Sequence, residues 1–165
     1  MTADSAKNAP RIVVGVDGSP SSRAALRWAV RQAALTGSAV DAVMAWQVPM
    51  TLTGYAWAPI SRDEADNLAE GARKALDAAI SEEVEPADSC RVTAHAINGH
   101  PADVLLDAAA DADLLVVGSR GHGSFADALL GSIGQHCVHH AHCPVLIMRG
   151  EPRHAARSAG SEPRS

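Results

Sequence analysis

Two apolar patterns alternate along the chain: short continuous runs, and longer segments with an apolar residue every three or four positions. The short runs are rich in β-branched residues, as is typical of strands buried on both faces. They predict five strands, at 11–17, 39–46, 91–97, 113–118 and 144–148. The longer segments predict four helices, at 20–36, 61–83, 101–109 and 132–141. Strands that alternate with helices predict an α/β fold with a mainly parallel sheet.

Both ends of the chain and one internal segment lie outside these predicted elements. Residues 1–10 and 150–165 lack apolar periodicity and are rich in proline, serine, glycine and charge. We therefore expect a flexible N-terminal tail and a disordered C-terminal tail around a single domain at 11–149. Residues 49–59 are predicted to form a loop, whose Tyr55 and Trp57 would form either a lid over a site or the rim of a dimer contact.

Composition narrows the classes of function. The chain has 165 residues, of which 47% are hydrophobic and 20% charged, and this suits one folded domain. Its net charge of −5, without any Lys/Arg cluster, argues against nucleic acid as a partner. No apolar run approaches the roughly 20 residues that cross a bilayer. The polar first ten residues and three widely spaced cysteines lead us to expect a cytoplasmic protein with no membrane partner.

Residues suited to binding a phosphorylated ligand follow two of the predicted strands. Asp17 ends the first strand, Gly118 and Gly121 follow the fourth, and Gly131 and Ser132 open the last helix. In open parallel sheets, ligands bind beyond the carboxyl ends of the strands, where the strand order reverses. Glycines let backbone N–H groups approach a phosphate, and we expect the N–H groups of Gly131 and Ser132 to be free. Asp17 suits a ribose hydroxyl, an adenine amine or a metal ion shared with phosphates.

These residues have an equally common structural interpretation. Glycines in a loop are typical of tight turns, and a Gly-Ser pair is typical of an ordinary helix start. Neither of two common nucleotide motifs is present, because the loop has no G-x-x-x-x-G-K-[S/T] lysine and the first strand has no G-x-G-x-x-G. From the residues alone, a phosphate site and a purely structural loop both stay open.

A longer pattern connects the glycines to a known family. Gly118-x-x-Gly121, nine further residues and then Gly131-Ser132 resemble the G-2x-G-9x-G-[S/T] ATP-binding motif of the universal stress protein family. Three further segments are similar to that family, at 12–19, 113–121 and 143–148, and the resemblance covers about 11–149.

The resemblance implies a Rossmann-like open parallel sheet of five strands in the order 3-2-1-4-5, with helices on both faces. It also implies ATP as the ligand and a homodimer formed through the strand at 144–149. Carried over by position, the ATP contacts are Gly15, Val16, Asp17, Ala45, Val117, Gly118, Arg120, Gly121, Gly131, Ser132 and Ile133. Of these, Ala45 beside the adenine and Ile133 beside the phosphates rest on the resemblance alone.

On this basis we interpret the chain as an ATP-binding regulatory module of the stress response and not as a dedicated enzyme, although slow ATP hydrolysis is compatible with it. ATP, with or without Mg²⁺, would order residues 118–132 and so change a surface that an unknown protein partner reads. One alternative is a weak ATPase or phosphotransferase, which the lack of a loop lysine disfavours. Another is a nucleotide-free dimeric protein-interaction module, which the intact motif glycines disfavour.

The last predicted helix is rich in histidine. His136, His139, His140 and Cys143 have the spacing i, i+3, i+4 and i+7, which could place metal ligands along one face. The apolar stripe of this helix must face the sheet, however, and no acidic partner is evident nearby. We therefore expect solvated histidines and no metal site, with Cys137 and Cys143 packed as small core residues.

Overall fold

Five parallel strands and four helices dominate this computed structural model, which describes residues 9–49, 52–53, 56–57, 61–121 and 130–150. In chain order the elements are β1 (Arg11–Gly15), α1 (Pro20–Thr36), β2 (Ala39–Trp46), β3 (Leu52–Thr53), β4 (Ala56–Trp57), α2 (Arg62–Glu83), β5 (Val92–Asn98), α3 (Pro101–Ala108), β6 (Leu114–Gly118), α4 (Ser132–His140) and β7 (Val145–Met148). The five strands and four helices predicted from the sequence are confirmed. Their ends differ from the prediction by two residues or fewer.

The sheet strands lie in the order β5-β2-β1-β6-β7, and every neighbouring pair is parallel. Numbered by appearance along the chain, this is the predicted order 3-2-1-4-5. The chain moves outwards from β1 through β2 to β5 and then crosses to β6 on the other side of β1. The carboxyl ends of β1 and β6 therefore lie side by side where the strand order reverses.

Alternate strand residues supply two cores, one on each face of the sheet. Ile12 and Val14 of β1 pack towards α1 and α2, whereas Val13 packs towards α3 and α4. Leu26 of α1 and Leu76 of α2 are fully buried in the first of these cores. Helices thus cover both faces, which explains why the strands appear in the sequence as continuous apolar runs.

Local signals set the ends of the helices. The Ser19 hydroxyl accepts a hydrogen bond from the N–H group of Ser22 at 3.3 Å, which caps the start of α1. Gly37, with a φ of 72°, ends α1 in the left-handed conformation that glycine tolerates. Ser61 and Glu64 form a reciprocal capping box at the start of α2. The cap at Ser19 fixes the beginning of α1 directly beyond the end of β1.

α2 is the longest helix, with 22 residues, yet only Leu76 and Ala79 of it are buried. The rest of its surface is largely polar and exposed.

Within the ranges that the structure describes, no helix combines the length and the apolar character needed to cross a membrane.

The segment between β2 and α2 corrects the prediction of a plain loop at 49–59. There β3 and β4 form a short antiparallel pair, with Leu52 opposite Trp57 and Thr53 opposite Ala56. Strands of two residues are too short to produce a recognisable alternation of apolar and polar positions. Tyr55 and the side chain of Trp57 lie outside the described residues, as do most residues of the two predicted tails.

Candidate functional site

A cavity of about 330 Å³ opens beyond the carboxyl ends of β1, β2 and β6. Its position coincides with the reversal of strand order. All the residues that the sequence proposed for a ligand line it: Gly15, Val16, Asp17, Ala45, Val117, Gly118, Arg120, Gly121, Gly131, Ser132 and Ile133. The topology brings them together, because parallel strands end, and their following helices begin, at the same edge of the sheet. What the cavity binds is still a prediction.

Further lining residues were missed by the sequence analysis. Val43 and Leu105 fit ordinary core positions, and Pro101 fits the first turn of a helix, so their residue types gave no sign of a site. Ser22 and Gly134 lie in the first turns of α1 and α4. The usable signal was their position, since the starts of α1, α3 and α4 all lie at the carboxyl edge of the sheet.

Part of the cavity wall is apolar. Val43, Ala45, Leu105 and Val117 form it, and all four belong to the core on the α3 and α4 side of the sheet. A Cβ atom built on Gly15 would lie 3.1 Å from a methyl carbon of Leu105, so this glycine lets α3 pack close to the end of β1. Apolar walls with a few polar groups are typical of small-molecule sites, and a volume near 300 Å³ lies at the lower end of their range.

Another part of the wall is the start of α4. Among the described residues, no acceptor meets the N–H groups of Ser132, Ile133 and Gly134, and no side chain caps this helix. The unpaired N–H groups at a helix start, together with the helix dipole, attract anions. This part of the cavity therefore suits a negatively charged group.

Gly131 corrects one prediction about these N–H groups. The sequence predicts that its N–H group is free, whereas the structure shows it donating to the carbonyl of Ser119 at 2.8 Å. The N–H group of Ser119 in turn donates to the carbonyl of Met148 at 2.7 Å. These two bonds close the base of the loop between β6 and α4, so the free N–H groups begin at Ser132.

The three motif glycines have different structural reasons. A Cβ atom on Gly118 would lie 2.5 Å from the Ser21 hydroxyl and 2.8 Å from the backbone nitrogen of Ser22, and one on Gly121 would lie 2.8 Å from Asp17 Oδ2. The fold itself therefore requires Gly118, where a side chain would overlap backbone, whereas the exposed Asp17 side chain can move aside for a Cβ atom on Gly121. A Cβ atom on Gly131 would meet no described atom closer than 3.6 Å, and its φ of −68° suits any residue. The described neighbours of Gly131 therefore give no reason for a glycine at this position.

Two residues of opposite charge line the cavity. Asp17 is exposed, and its Oδ1 accepts a hydrogen bond from the N–H group of Ser19 at 2.9 Å. This bond holds the turn that links β1 to α1. Arg120, also exposed, lies in the loop that follows β6. The site thus combines one carboxylate and one guanidinium with the helix start.

The histidine-rich helix presents its rings to solvent. His136, His139 and His140 are exposed, and the ring centroids of His136 and His140 lie 4.4 Å apart. In the part of the chain that the structure describes, no group of three or more His, Cys, Asp or Glu residues is arranged to hold a metal ion. Cys137 is fully buried and Cys143 packs against the same core, as predicted. Burial raises the pKa of both thiols, which makes them poor nucleophiles.

A five-stranded parallel sheet with a cavity at its reversal point, lined by glycines and a helix start, defines a Rossmann-like α/β protein. Within that class, the model of the universal stress protein family matches residues 9–149. The chain belongs to the universal stress protein family.

Curated relatives carry the same family description. The universal stress protein Rv1996 of Mycobacterium tuberculosis is 34% identical over 158 residues, and the match covers 87% of this chain and 49% of that protein. Rv2623 of the same organism is 32% identical over 148 residues, with 85% and 48% covered. The chain therefore spans about half the length of the curated relatives that it matches.

Solved structures share the fold. UspA from Lactobacillus plantarum matches with a TM-score of 0.62 at 22% identity, over 86% of this chain and 99% of that one. A universal stress protein solved in complex with cAMP matches with a TM-score of 0.53 at 26% identity, over 86% of this chain and 98% of that one.

Proposed function

We propose that this protein binds an adenine nucleotide, with ATP as the first candidate, and acts as a nucleotide-dependent regulatory module. The observation that carries the proposal is the start of α4. Unpaired N–H groups of Ser132, Ile133 and Gly134 border a cavity whose other wall is apolar, beside a glycine at 131 that the described neighbours do not require.

The chemistry of the walls suggests how the nucleotide lies. The apolar side chains, Ala45 and Leu105 among them, would enclose the adenine. Asp17 at the end of β1 would bind a ribose hydroxyl, or Mg²⁺ shared with the phosphates. The phosphates would lie at the start of α4, near Arg120.

Two similarities favour an adenine nucleotide over another anion. The spacing of Gly118, Gly121, Gly131 and Ser132 resembles an ATP-binding motif, and a structural neighbour at 26% identity was solved with cAMP. Both ligands combine adenosine with phosphate, which is the combination that the two walls suit.

A dedicated ATPase is the second candidate function. The described residues of the site supply few of the groups that ATP hydrolysis requires. Asp17 is the carboxylate that lines the cavity, and its Oδ1 already accepts the Ser19 N–H group. No lysine is among the described lining residues. Phosphoryl transfer relies on cationic groups around the phosphates and on a residue that orients the attacking group.

We further propose that the bound nucleotide orders residues 118–132 and so changes a surface that an unknown protein partner reads. Equal hydrogen-exchange protection of that segment with and without ATP would contradict the proposal.

We also propose that two copies pair through β7 to form a homodimer. β7 is an edge strand whose residues are all half-buried, and edge strands carry backbone groups that can pair with another chain. Light scattering of the wild type should give twice the mass of one chain, and the mass of a single chain would contradict this. A Leu146→Lys variant is a poor test, because Leu146 also packs against the core.

Calorimetric titration tests the nucleotide site. We expect saturable binding of ATP with Mg²⁺ by the wild type, and at least a roughly tenfold weaker affinity in Gly131→Glu, because the added carboxylate would repel the phosphates. The described atoms nearest a Cβ atom at Gly131 lie 3.6 Å or more away and its φ is ordinary, so we expect the fold to accept the new side chain.

Gly71→Glu is the matched control. It adds the same side chain to α2, where nothing lies within 4 Å of the new Cβ atom, and it should bind ATP like the wild type. If the wild type binds none of ATP, AMP and cAMP, the proposed function is wrong.

A further inference from the structure

Ser21 makes an unusual contact across the site. It is 5% exposed and lies in the first turn of α1. Its hydroxyl donates to the carbonyl of Arg120 and accepts from the N–H group of the same residue, with an N–O distance of 3.4 Å. One hydroxyl therefore holds both polar groups of the Arg120 backbone.

Neighbouring residues strengthen this contact. The Ser19 hydroxyl donates to the same Arg120 carbonyl at 3.2 Å, and the Ser19 N–H group binds Asp17. A Cβ atom on Gly118 would lie 2.5 Å from the Ser21 hydroxyl, so the glycine at this position makes room for the hydroxyl beside Arg120. The start of α1 thus joins the turn after β1 to the loop after β6, and both segments line the cavity.

Among the described contacts, the Ser21 hydroxyl forms no hydrogen bond with the backbone of its own helix. Ser19 supplies the cap of α1, and within the described residues the Ser21 hydroxyl contacts Ser19 Oγ and Arg120 but not the α1 backbone. A stability role in α1 therefore does not account for the hydroxyl, whereas its contact with Arg120 does.

We infer that Ser21 is a positioning residue of the nucleotide site, whose hydroxyl fixes the Arg120 backbone and thereby sets how Arg120 and Gly121 face the cavity. The inference rests on the proposed function, because it assigns Arg120 and Gly121 to a bound nucleotide. Ser119, just before them, is already held through the carbonyl of Met148, so the Ser21 contact holds the next residue of the loop.

The test compares Ser21→Ala with Ser38→Ala in the full chain. Ser38 is 4% exposed and its hydroxyl lies 2.6 Å from that of Thr36, at the other end of α1. Both variants lose a buried hydroxyl, but only Ser21→Ala should change the site. We expect hydrogen exchange of the Arg120 amide to become at least about tenfold faster in the ligand-free Ser21→Ala protein, and ATP to bind roughly three- to tenfold more weakly.

A second experiment distinguishes an effect of Ser21 on Arg120 from a general loss of structure at the site. Arg120→Ala should itself weaken ATP binding, and adding Ser21→Ala to it should weaken binding less than Ser21→Ala does alone, because only the part of the effect that passes through Gly121 is left. Full additivity of the two substitutions would contradict an action through Arg120.

The outcomes distinguish this inference from the proposed function. If ATP affinity in Ser21→Ala equals that of Ser38→Ala, the positioning role is wrong, whatever the exchange rates show. If the wild type binds no nucleotide while Arg120 exchange still accelerates in Ser21→Ala, the proposed function fails and Ser21 is only an anchor of the loop.

Discussion

At the residue scale, a motif glycine can serve the fold, a ligand or both. A Cβ atom on Gly118 would overlap backbone at the start of α1, and one on Gly121 would overlap only the end of the exposed Asp17 side chain. A Cβ atom on Gly131 would meet no described atom closer than 3.6 Å. Packing therefore requires Gly118. The described neighbours do not require Gly131, and we propose that a ligand is the reason for this glycine.

The difference between these glycines predicts their effects on stability. Gly118→Ala should lower the free energy of unfolding by about 1–3 kcal/mol, because the atoms it would overlap include backbone that cannot move aside. Gly131→Ala should change it by no more than about 0.5 kcal/mol. Urea unfolding of both variants measures the difference, and equal stabilities would show that Gly118 is not required by packing.

Part of the site was predictable from single residues, and part was not. The positions of Asp17, Gly118 and Gly131 in the sequence predict that these residues meet at the carboxyl edge of the sheet, and they do line one cavity there. Their residue types alone left a phosphate site and a purely structural loop both open. Two features of the site could not be predicted: the bond from the Gly131 N–H group to Ser119, and the contact of Ser21 with the Arg120 backbone. Both are contacts between segments that are distant in the sequence, which a local sequence pattern does not predict.

At the element scale, ion pairs join α1 to α2. Arg23 pairs with Glu82 and Glu83, and Arg27 pairs with Glu83 at 2.5 Å. Burial alone would raise the pKa of Glu83, but hydrogen bonds and charge from Arg27 and Arg23 outweigh it and lower that pKa below its ordinary value. The folded protein therefore holds the Glu83 proton less tightly than the unfolded chain does.

This shift predicts how stability depends on pH. Because the folded pKa of Glu83 is the lower one, its contribution is present above the ordinary Glu pKa of 4.5 and is lost as the pH falls through the folded pKa. Glu83→Gln should cost up to about 1 kcal/mol at pH 7 and should lose less stability than the wild type below about pH 4.5.

Urea unfolding across this pH range gives the comparison, with Asp77→Asn as the control. Asp77 forms an exposed pair with Arg73 within α2, at 3.1 Å. Asp77→Asn should keep the wild-type loss of stability on acidification. If the stability of Glu83→Gln and of the wild type falls in parallel as the pH is lowered, Glu83 is not the source of the predicted pH dependence.

Elements were predictable where their signals are local and long enough. Ser19, Ser61 and Gly37 mark helix ends, and residues of these types can be recognised in the sequence. The sheet strands are buried on both faces, so they appear in the sequence as continuous apolar runs. The β3–β4 pair was not predicted, because a strand of two residues has no detectable periodicity of apolar and polar positions.

At the scale of the whole molecule, topology makes the site. β1 and β6 are separated by nearly a hundred residues in the chain, yet they pair directly, with Val13 opposite Leu115. The reversal of strand order places their carboxyl ends and the start of α4 around one cavity. Strand order followed from the family resemblance, and the structure then confirmed it.

The central claim is that an adenine nucleotide binds at this edge, with its phosphates at the start of α4. An amide NMR titration of the wild type with ATP and Mg²⁺ tests it most directly, because it reports both binding and place. The account predicts saturable shifts of the Ser132, Ile133 and Gly134 amides, with those of Arg11 and Ala39 at the other end of the sheet unchanged. Saturable shifts confined to another surface, or none at all, would contradict it.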